Sequence, residues 1–225
     1  FIITYGRSGS TLLSGLLNSL DGYTIRGENY NLLIPLFNSY RRINDAITKH
    51  GGPQADLTTD PWWGVNEIDP DLYIADLRRM IDNVLIGKLS APPRVYGFKE
   101  IRYPWVIDIL PEFISFIRKI YPNTGLIFNY RDLDKVMQSG FWALETDENR
   151  RNIRNQISLF EEASRQYAAE NREYCFQIRY EDMVDRTGVL KLLFDFLGEY
   201  YDEAKVEQVL SVKHSYGNAK QESVL

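Results

Sequence analysis

The chain has 225 residues, of which 44% are hydrophobic and 25% charged, so it is long enough to build a compact domain with its own core. A net charge of -5 and a pI near 5.2 argue against a nucleic-acid partner or an anionic-membrane surface. We therefore predict a single domain over residues 1–225, in which any anion site is a local basic pocket.

Cysteine content and hydropathy bear on the compartment. The one cysteine, Cys175, excludes an internal disulfide and favours a reducing environment. The sequence has no apolar run of membrane-spanning length and no signal-peptide pattern. We therefore expect a cytoplasmic protein without a membrane span. The first residue already falls in a predicted strand, so a preceding N-terminal segment is left open, as is the oligomeric state.

Strand-like and helical segments alternate along the chain. Helices are predicted after Ser10, where leucines recur at helical spacing, and over 71–89, 111–121, 149–171, 190–197 and 204–210. Residues 51–71 are rich in Gly, Pro and Asp and are predicted to form a lid, a binding loop or a disordered segment. Five β-rich segments are predicted, namely FIITYG (1–6), YTIRG (23–27), RVYGFKEI (94–101), TGLIFNYR (124–131) and CFQIRYED (175–182).

This alternation predicts an α/β fold with a central, mostly parallel β-sheet flanked by helices, because parallel strands need crossover connections. Sheets of this kind bind ligands at the carboxyl ends of their strands. Polar residues that follow a predicted strand are therefore the first candidates for a site.

A glycine-rich hexapeptide links the first strand to the first helix. Its glycines allow the backbone to turn tightly and direct N–H groups at an anion, and Arg7 adds a planar cation. The following helix N-terminus favours the same anion, although an ordinary turn with Ser10 as N-cap is the alternative. The predicted anion ligands are Gly6, Arg7, Ser8, Gly9, Ser10 and Thr11.

The hexapeptide lacks the lysine of a nucleoside-triphosphatase loop, in which the second glycine is followed by Lys and then Ser or Thr. Here Ser10 follows Gly9, so hydrolysis of Mg·ATP is poorly supported. Instead, YGRSGSTLL (5–13) resembles the 5′-phosphosulfate loop of the sulfotransferase superfamily, which uses 3′-phosphoadenosine 5′-phosphosulfate (PAPS) and releases 3′-phosphoadenosine 5′-phosphate (PAP). Its form is most similar to the tyrosylprotein and carbohydrate branches. The resemblance implies a P-loop-like sulfotransferase fold, an enzyme dependent on PAPS, and no metal.

Two further segments carry the resemblance. In NYRDLDKVMQSGFW, Arg131 and the serine eight positions later, Ser139, match the pair that binds the 3′-phosphate in that family. In RYEDMV, Tyr180 matches a tyrosine that lies near the adenine in that family. Tyr180 is the candidate for this contact because an aromatic face can stack on a base. The alternative for Tyr180 is a core tyrosine with a hydrogen-bonded hydroxyl.

The C-terminal KHSYGNAK resembles, more loosely, the basic loop with which family members close the 3′-phosphate site. Lys213, Gly217 and Lys220 are its candidate ligands, against the alternative of a mobile basic tail. The family also places a late serine near the bridging oxygen, and either Ser211 or Ser215 could be that residue.

Three residues are predicted to be catalytic. Gly27-Glu28 followed by Ile34-Pro35 is similar to the frame that carries the catalytic glutamate of the tyrosylprotein branch, which makes Glu28 the candidate general base. Lys99 in GFKEIRYPW is similar to that branch's lysine, and together with Arg7 it would stabilise the sulfuryl oxygens. The alternatives are a helix-capping Glu28 and a surface Lys99–Glu100 pair.

The acceptor is less constrained than the donor. The segments 36–69, 102–122 and 140–150 are aromatic-rich, which suits a hydroxyl on a saccharide or another small molecule, and a peptide tyrosine second. Two other functions compete: a P-loop small-molecule kinase that lacks its lysine, and a non-catalytic PAPS- or PAP-binding protein.

Overall fold

The computed structural model of the chain describes residues 1–87, 89 and 91–212. These residues form two compact units. The first, here called the sheet unit, comprises Phe1–Tyr30, Leu89–Leu110 and the described residues from Thr124 onwards. The second, the helical unit, comprises Asn31–Lys88 and Pro111–Asn123, apart from position 88, which is outside the described residues.

A five-stranded sheet organises the first unit. Its order is β2-β3-β1-β4-β5, and all four neighbouring pairs are parallel. The predicted α/β class and its five strands are therefore confirmed. The strands are β1 (Ile2–Ile3), β2 (Tyr23–Arg26), β3 (Val95–Glu100), β4 (Leu126–Tyr130) and β5 (Cys175–Arg179).

Nine α-helices occur within the described residues. They are α1 (Ser10–Asn18), α2 (Leu33–His50), α3 (Pro70–Ile81), α4 (Leu110–Ile120), α5 (Leu133–Met137), α6 (Asp147–Glu170), α7 (Tyr180–Val184), α8 (Val189–Leu197) and α9 (Glu203–Ser211). Short 3₁₀ segments cover Pro53–Asp56, Val65–Glu67, Tyr103–Ile109 and Gly140–Leu144, and a π-helical turn covers Asp82–Ile86.

Both faces of the sheet are covered by helices of the same unit, as the alternation of side chains along β4 shows. Ile127 belongs to a buried cluster with the leucines of α1 and with Leu193 and Phe194 of α8. The next residue, Phe128, packs instead against Tyr167 of α6, and the Tyr130 hydroxyl lies 3.2 Å from Ser164 Oγ on that helix. Strands buried on both faces explain why the β segments read as nearly continuous apolar runs.

The helical unit contains a helix that the sequence did not predict. Helix α2 runs over 18 residues from Leu33, and Pro35 lies in its first turn, where proline is tolerated. Phe37 of α2 packs edge-on against Phe113 of α4, with ring centroids 5.7 Å apart. Helix α3 is capped by Asp69, whose carboxylate accepts the Asp71 and Leu72 N–H groups.

Some predicted boundaries are wrong for identifiable reasons. The fifth strand ends at Arg179 because Asp182 Oδ2 accepts the Arg179 N–H (3.1 Å), which starts α7 at Tyr180. The predicted 71–89 helix is α-helical only to Ile81, continues as the π turn and ends before Gly87. The predicted 51–71 loop contains two 3₁₀ turns, and Asn66 ties them to Gly52 by two hydrogen bonds. None of the helices in the described part of the chain is both long and apolar enough to cross a membrane.

Candidate active site

The hexapeptide between β1 and α1 lies at the carboxyl edge of the sheet, beside the point where the strand order reverses. The chain leaves β1 for β2 at one edge, whereas β4 and β5 extend the sheet on the other side of β1. Such switch points are the usual ligand sites of doubly wound sheets. Two residues of the loop, Arg7 (φ 68°) and Gly9 (φ 84°), have left-handed backbone conformations that turn the chain into α1.

Helix α1 begins without a side-chain cap. Its N-cap residue is Gly9, so Ser10 is the first helical residue and not the cap. The Leu12 N–H donates to the Gly9 carbonyl at 2.9 Å, and no side chain of the described residues caps the N–H groups before it. Such uncapped groups at a helix start suit an anion. Gly9 is also where the loop meets α7, since a Cβ atom at this position would lie 2.1 Å from Cδ2 of Tyr180.

The loop is fixed from behind by buried polar contacts. Thr4 Oγ1 lies 2.7 Å from Ser8 Oγ, and Asn129 Nδ2 donates to the Ser8 carbonyl at 3.0 Å. Ser8 is itself fully buried, so its hydroxyl holds the loop's shape and does not line the cavity described below. Gly6 also lies outside that cavity, and its carbonyl accepts the Trp142 Nε1–H at 3.2 Å.

An arginine from a neighbouring strand faces the loop. Arg131, after β4, donates from Nη1 to the Arg7 carbonyl (3.0 Å), and its guanidinium lies 4.4 Å from the centroid of the Tyr180 ring. Arg131 Nε is buried without a hydrogen-bond partner in the described part of the chain. An unsatisfied buried donor of this kind, on a permanent cation, fits an anionic ligand.

Arg7 is positioned by the segment that carries Ser139. Its Nε donates to Ser139 Oγ at 3.1 Å, so the predicted Arg131–Ser139 pair is connected to the hexapeptide through both of its members. Gly140 follows with φ 58°, and a Cβ atom there would lie 2.6 Å from Arg7 Nε. The bare backbone of Gly140 therefore lets this segment approach the guanidinium.

An ion pair lies at the carboxyl ends of β2 and β3. Lys99 Nζ donates to Glu28 Oε1 at 2.7 Å; Lys99 is only 8% exposed, whereas the Glu28 side chain is 35% exposed. Parallel pairing places Arg26 opposite Phe98, so Lys99 near the end of β3 meets the residues that follow β2 at one edge. The arrangement gives Glu28 an oxygen within reach of solvent and a cation beside it.

A fully buried carboxylate supports this pair. Glu100 is 0% exposed and accepts the N–H groups of Asn29 (3.2 Å) and Ile101 (2.8 Å). It also accepts from Arg102 Nη1 at 2.7 Å, and the same nitrogen lies 3.5 Å from Glu28 Oε2. Glu100 thus joins the backbone after β2 to the turn after β3.

Most of the predicted residues line one cavity of about 290 Å³, all of it within the sheet unit. Sequence reasoning missed apolar residues of the wall such as Val184, Leu210 and Val212, because isolated apolar residues carry no motif. The predicted residues that line the cavity are Arg7, Gly9, Ser10, Thr11, Glu28, Lys99, Arg131 and Tyr180.

Of the C-terminal candidates, only Ser211 falls within the described residues. Lys213, Gly217, Lys220 and Ser215 lie outside the described residues. Ser211 is the exposed last residue of α9, and its hydroxyl donates to the Gln208 carbonyl at 2.8 Å. Within residues 1–87, 89 and 91–212, no group of three or more His, Cys, Asp or Glu side chains could hold a metal ion.

Residues 1–203 match the model of the Sulfotransferase family. No curated protein sequence matches the chain.

Two solved structures share the fold. The sulfotransferase domain from the curacin biosynthetic pathway is 18% identical with a TM-score of 0.57, and the match covers 95% of this chain and 78% of that one. The sulfotransferase domain from the Synechococcus PCC 7002 olefin synthase is 20% identical with a TM-score of 0.54, over 95% and 77% of the two chains. The family match over residues 1–203 confirms the resemblance to sulfotransferases noted in the sequence.

Proposed function

The chain belongs to the sulfotransferase family, and we propose that it transfers a sulfuryl group from PAPS to the hydroxyl of a carbohydrate or another small-molecule alcohol. The observation that carries the proposal is the shared cavity, where Arg7, Arg131 and the uncapped start of α1 face the same space as the Glu28–Lys99 pair. The first group suits an anionic donor, and the second group suits removal of a proton.

The donor would be held at two places. The Arg7 guanidinium and the N–H groups at the start of α1 suit the 5′-phosphosulfate, since both favour anions. The buried Nε of Arg131 suits the 3′-phosphate. Ser139, whose hydroxyl accepts from Arg7 Nε, is the second candidate ligand of that phosphate. Tyr180, already in contact with Arg131, suits the adenine. When bound, PAPS supplies the activated sulfuryl group.

The acceptor's proton is assigned to Glu28. A carboxylate that reaches solvent and is fixed on one side by Lys99 can accept a proton on its other side as the acceptor oxygen reacts. Lys99 has three N–H donors, of which one is directed at Glu28. Its charge and that of Arg7 would stabilise negative charge that develops on the transferred group.

Calorimetric titration with PAP, AMP, ADP and Mg·ATP is the decisive first experiment. Binding of PAP without metal, with AMP at least tenfold weaker, is the expected result because only PAP carries a 3′-phosphate. Binding of Mg·ATP with indifference to the 3′-phosphate would contradict the proposal and favour a kinase. Tight PAP binding without sulfation of any alcohol would favour a binding protein.

A further inference from the structure

A second cavity of about 180 Å³ adjoins the first within the sheet unit. Its walls are mainly apolar, formed by Trp105, Phe141 and Trp142 together with Ile101 and Pro104. Ile101 and Phe141 line both cavities, so the two spaces are neighbours. Trp105 is 53% exposed and Phe141 43% exposed, which leaves aromatic surface at the mouth of a concave site.

The polar side chains of this second cavity already have partners in the protein. The Trp142 indole N–H is directed at the Gly6 carbonyl. The Tyr5 hydroxyl accepts the Arg131 N–H at 2.8 Å and contacts Glu161.

Arg102, the third polar side chain in the wall, is engaged on two sides. It pairs with Glu100 at 2.7 Å and with Glu28 at 3.5 Å. Its guanidinium also lies 4.5 Å from the centroid of the Tyr30 ring. Each polar side chain in the wall therefore already has at least one partner in the protein, whereas the aromatic faces are open to a ligand.

This chemistry discriminates between acceptors. A sugar has hydroxyl groups around its whole ring, and each one buried here without a partner would weaken binding. An apolar ring or short alkyl body loses nothing in the same place and gains contact with the aromatic walls. An engineered apolar cavity of about 150 Å³ holds one benzene molecule, so the volume suits a body of about one six-membered ring.

We propose that the second cavity binds the acceptor, and that the acceptor is an alcohol with a small apolar or aromatic body and not a polyhydroxylated sugar. The inference rests on the proposed function and narrows its acceptor class. Arg102 connects the two spaces, since it lines the second cavity and contacts Glu28 of the first. A hydroxyl carried on a short arm, as in 2-phenylethanol, can therefore approach Glu28 while its ring occupies the aromatic part.

Binding and turnover test this inference separately. Saturation-transfer NMR on the wild-type protein with PAP compares 2-phenylethanol and cyclohexylmethanol with methyl glucoside. PAP release from PAPS then measures turnover of the same three alcohols. We expect saturation transfer to the two apolar alcohols only, and a kcat/KM for 2-phenylethanol at least tenfold above that for methyl glucoside.

Variants locate the binding. Trp105→Ala is expected to raise the KM for 2-phenylethanol about tenfold without changing the KM for PAPS, and Trp105→Phe, which keeps an aromatic face, should restore most of it. Tyr200→Ala removes a more exposed aromatic ring that lines neither cavity of the described chain, and it should leave both KM values unchanged.

Each other outcome has a distinct meaning. A preference for methyl glucoside, or a Trp105→Ala variant with an unchanged KM, would overturn the acceptor class or its location. Saturation transfer without turnover of any alcohol would overturn the assignment of the cavity as an acceptor site. Failure of the proposed function itself would appear earlier, as absence of PAP binding in calorimetry.

Discussion

Lys99 Nζ and Glu28 Oε1 are 2.7 Å apart at the carboxyl ends of adjacent parallel strands, with the lysine nearly buried and the glutamate partly open to solvent. The two residues are 71 positions apart in the chain, and the β2–β3 register brings them together. A buried lysine beside a solvent-accessible carboxylate is suited to chemistry at the mouth of a cavity. It differs from an exposed surface pair, which contributes little to stability.

Glu28→Gln tests the assignment of the base. The amide cannot accept the proton, so we expect turnover to fall about 100- to 10,000-fold, the range typical of general-base loss. PAP affinity should stay within threefold, because Glu28 is not assigned to the donor. Steady-state assays with calorimetry measure both quantities. Glu173→Gln, at an exposed glutamate before β5, is the matched control, and unchanged turnover in Glu28→Gln would remove Glu28 from this role.

Lys99→Met separates turnover from binding. Methionine has a similar length but no charge, so the cavity keeps its shape while the transferred group loses a cation. We expect kcat to fall about 100- to 1,000-fold, as on removal of one oxyanion donor, with a much smaller change in PAP affinity. Lys191→Met, an exposed lysine on α8, controls for loss of charge alone. A loss of PAP affinity as large as the loss of kcat would instead assign Lys99 to donor binding.

Arg131 should determine recognition of the 3′-phosphate. Hydrogen bonds to charged groups contribute about 1.5–3 kcal/mol, so Arg131→Ala should weaken PAP binding about 10- to 100-fold and AMP binding much less. Arg131→Lys keeps the charge but loses the planar fork, and an intermediate PAP-to-AMP ratio is expected. Arg172→Ala, an exposed arginine, is the control. Equal weakening of PAP and AMP would show that Arg131 only supports the loop through the Arg7 carbonyl.

These residues also show what the sequence could reveal. The hexapeptide, Glu28, Lys99, Arg131 and Tyr180 were recognisable because each lies at or just after the end of a strand within a short motif. Parallel pairing brings such positions to one edge. Strand ends shifted by a few residues because a local contact, such as Asp182 on the Arg179 N–H, ended the ladder. Helix α2 was not predicted, and its Pro35 lies in the first turn, where proline is tolerated.

Other features of the site depend on distant contacts and left no local signal. The sequence left open a surface Lys99–Glu100 pair, yet Glu100 is fully buried, and its carboxylate accepts from four donors of two chain segments. The apolar wall residues Leu210 and Val212 are likewise about 200 positions from the loop they face. Tertiary packing alone assigns such residues to a site.

Gly9→Ala tests the contact between the loop and α7. Alanine would be strained at φ 84°, and its Cβ would overlap the Tyr180 ring, so either the ring or the loop must move. We expect the free energy of unfolding to fall by about 1–3 kcal/mol and PAP binding to be lost or strongly weakened. Gly188→Ala is the control, because a Cβ there would meet no atom within 4 Å. Normal PAP affinity in Gly9→Ala would mean that this approach is dispensable for the donor site.

Glu100→Gln tests whether the buried carboxylate positions Glu28. A glutamine keeps the shape but replaces one acceptor oxygen by an NH₂ group, which donates and cannot accept. The one remaining oxygen can then accept from the Asn29 amide or from the Ile101–Arg102 turn, but not from both. The chain after β2 should then loosen, so that kcat falls about tenfold or more while the KM for PAPS changes little. A structural role alone would lower the melting temperature without this split. Combining Glu100→Gln with Glu28→Gln decides the matter, because a positioning residue has no further effect on kcat once the base that it positions is gone. Independent, additive losses in the double variant would mean that Glu100 acts elsewhere.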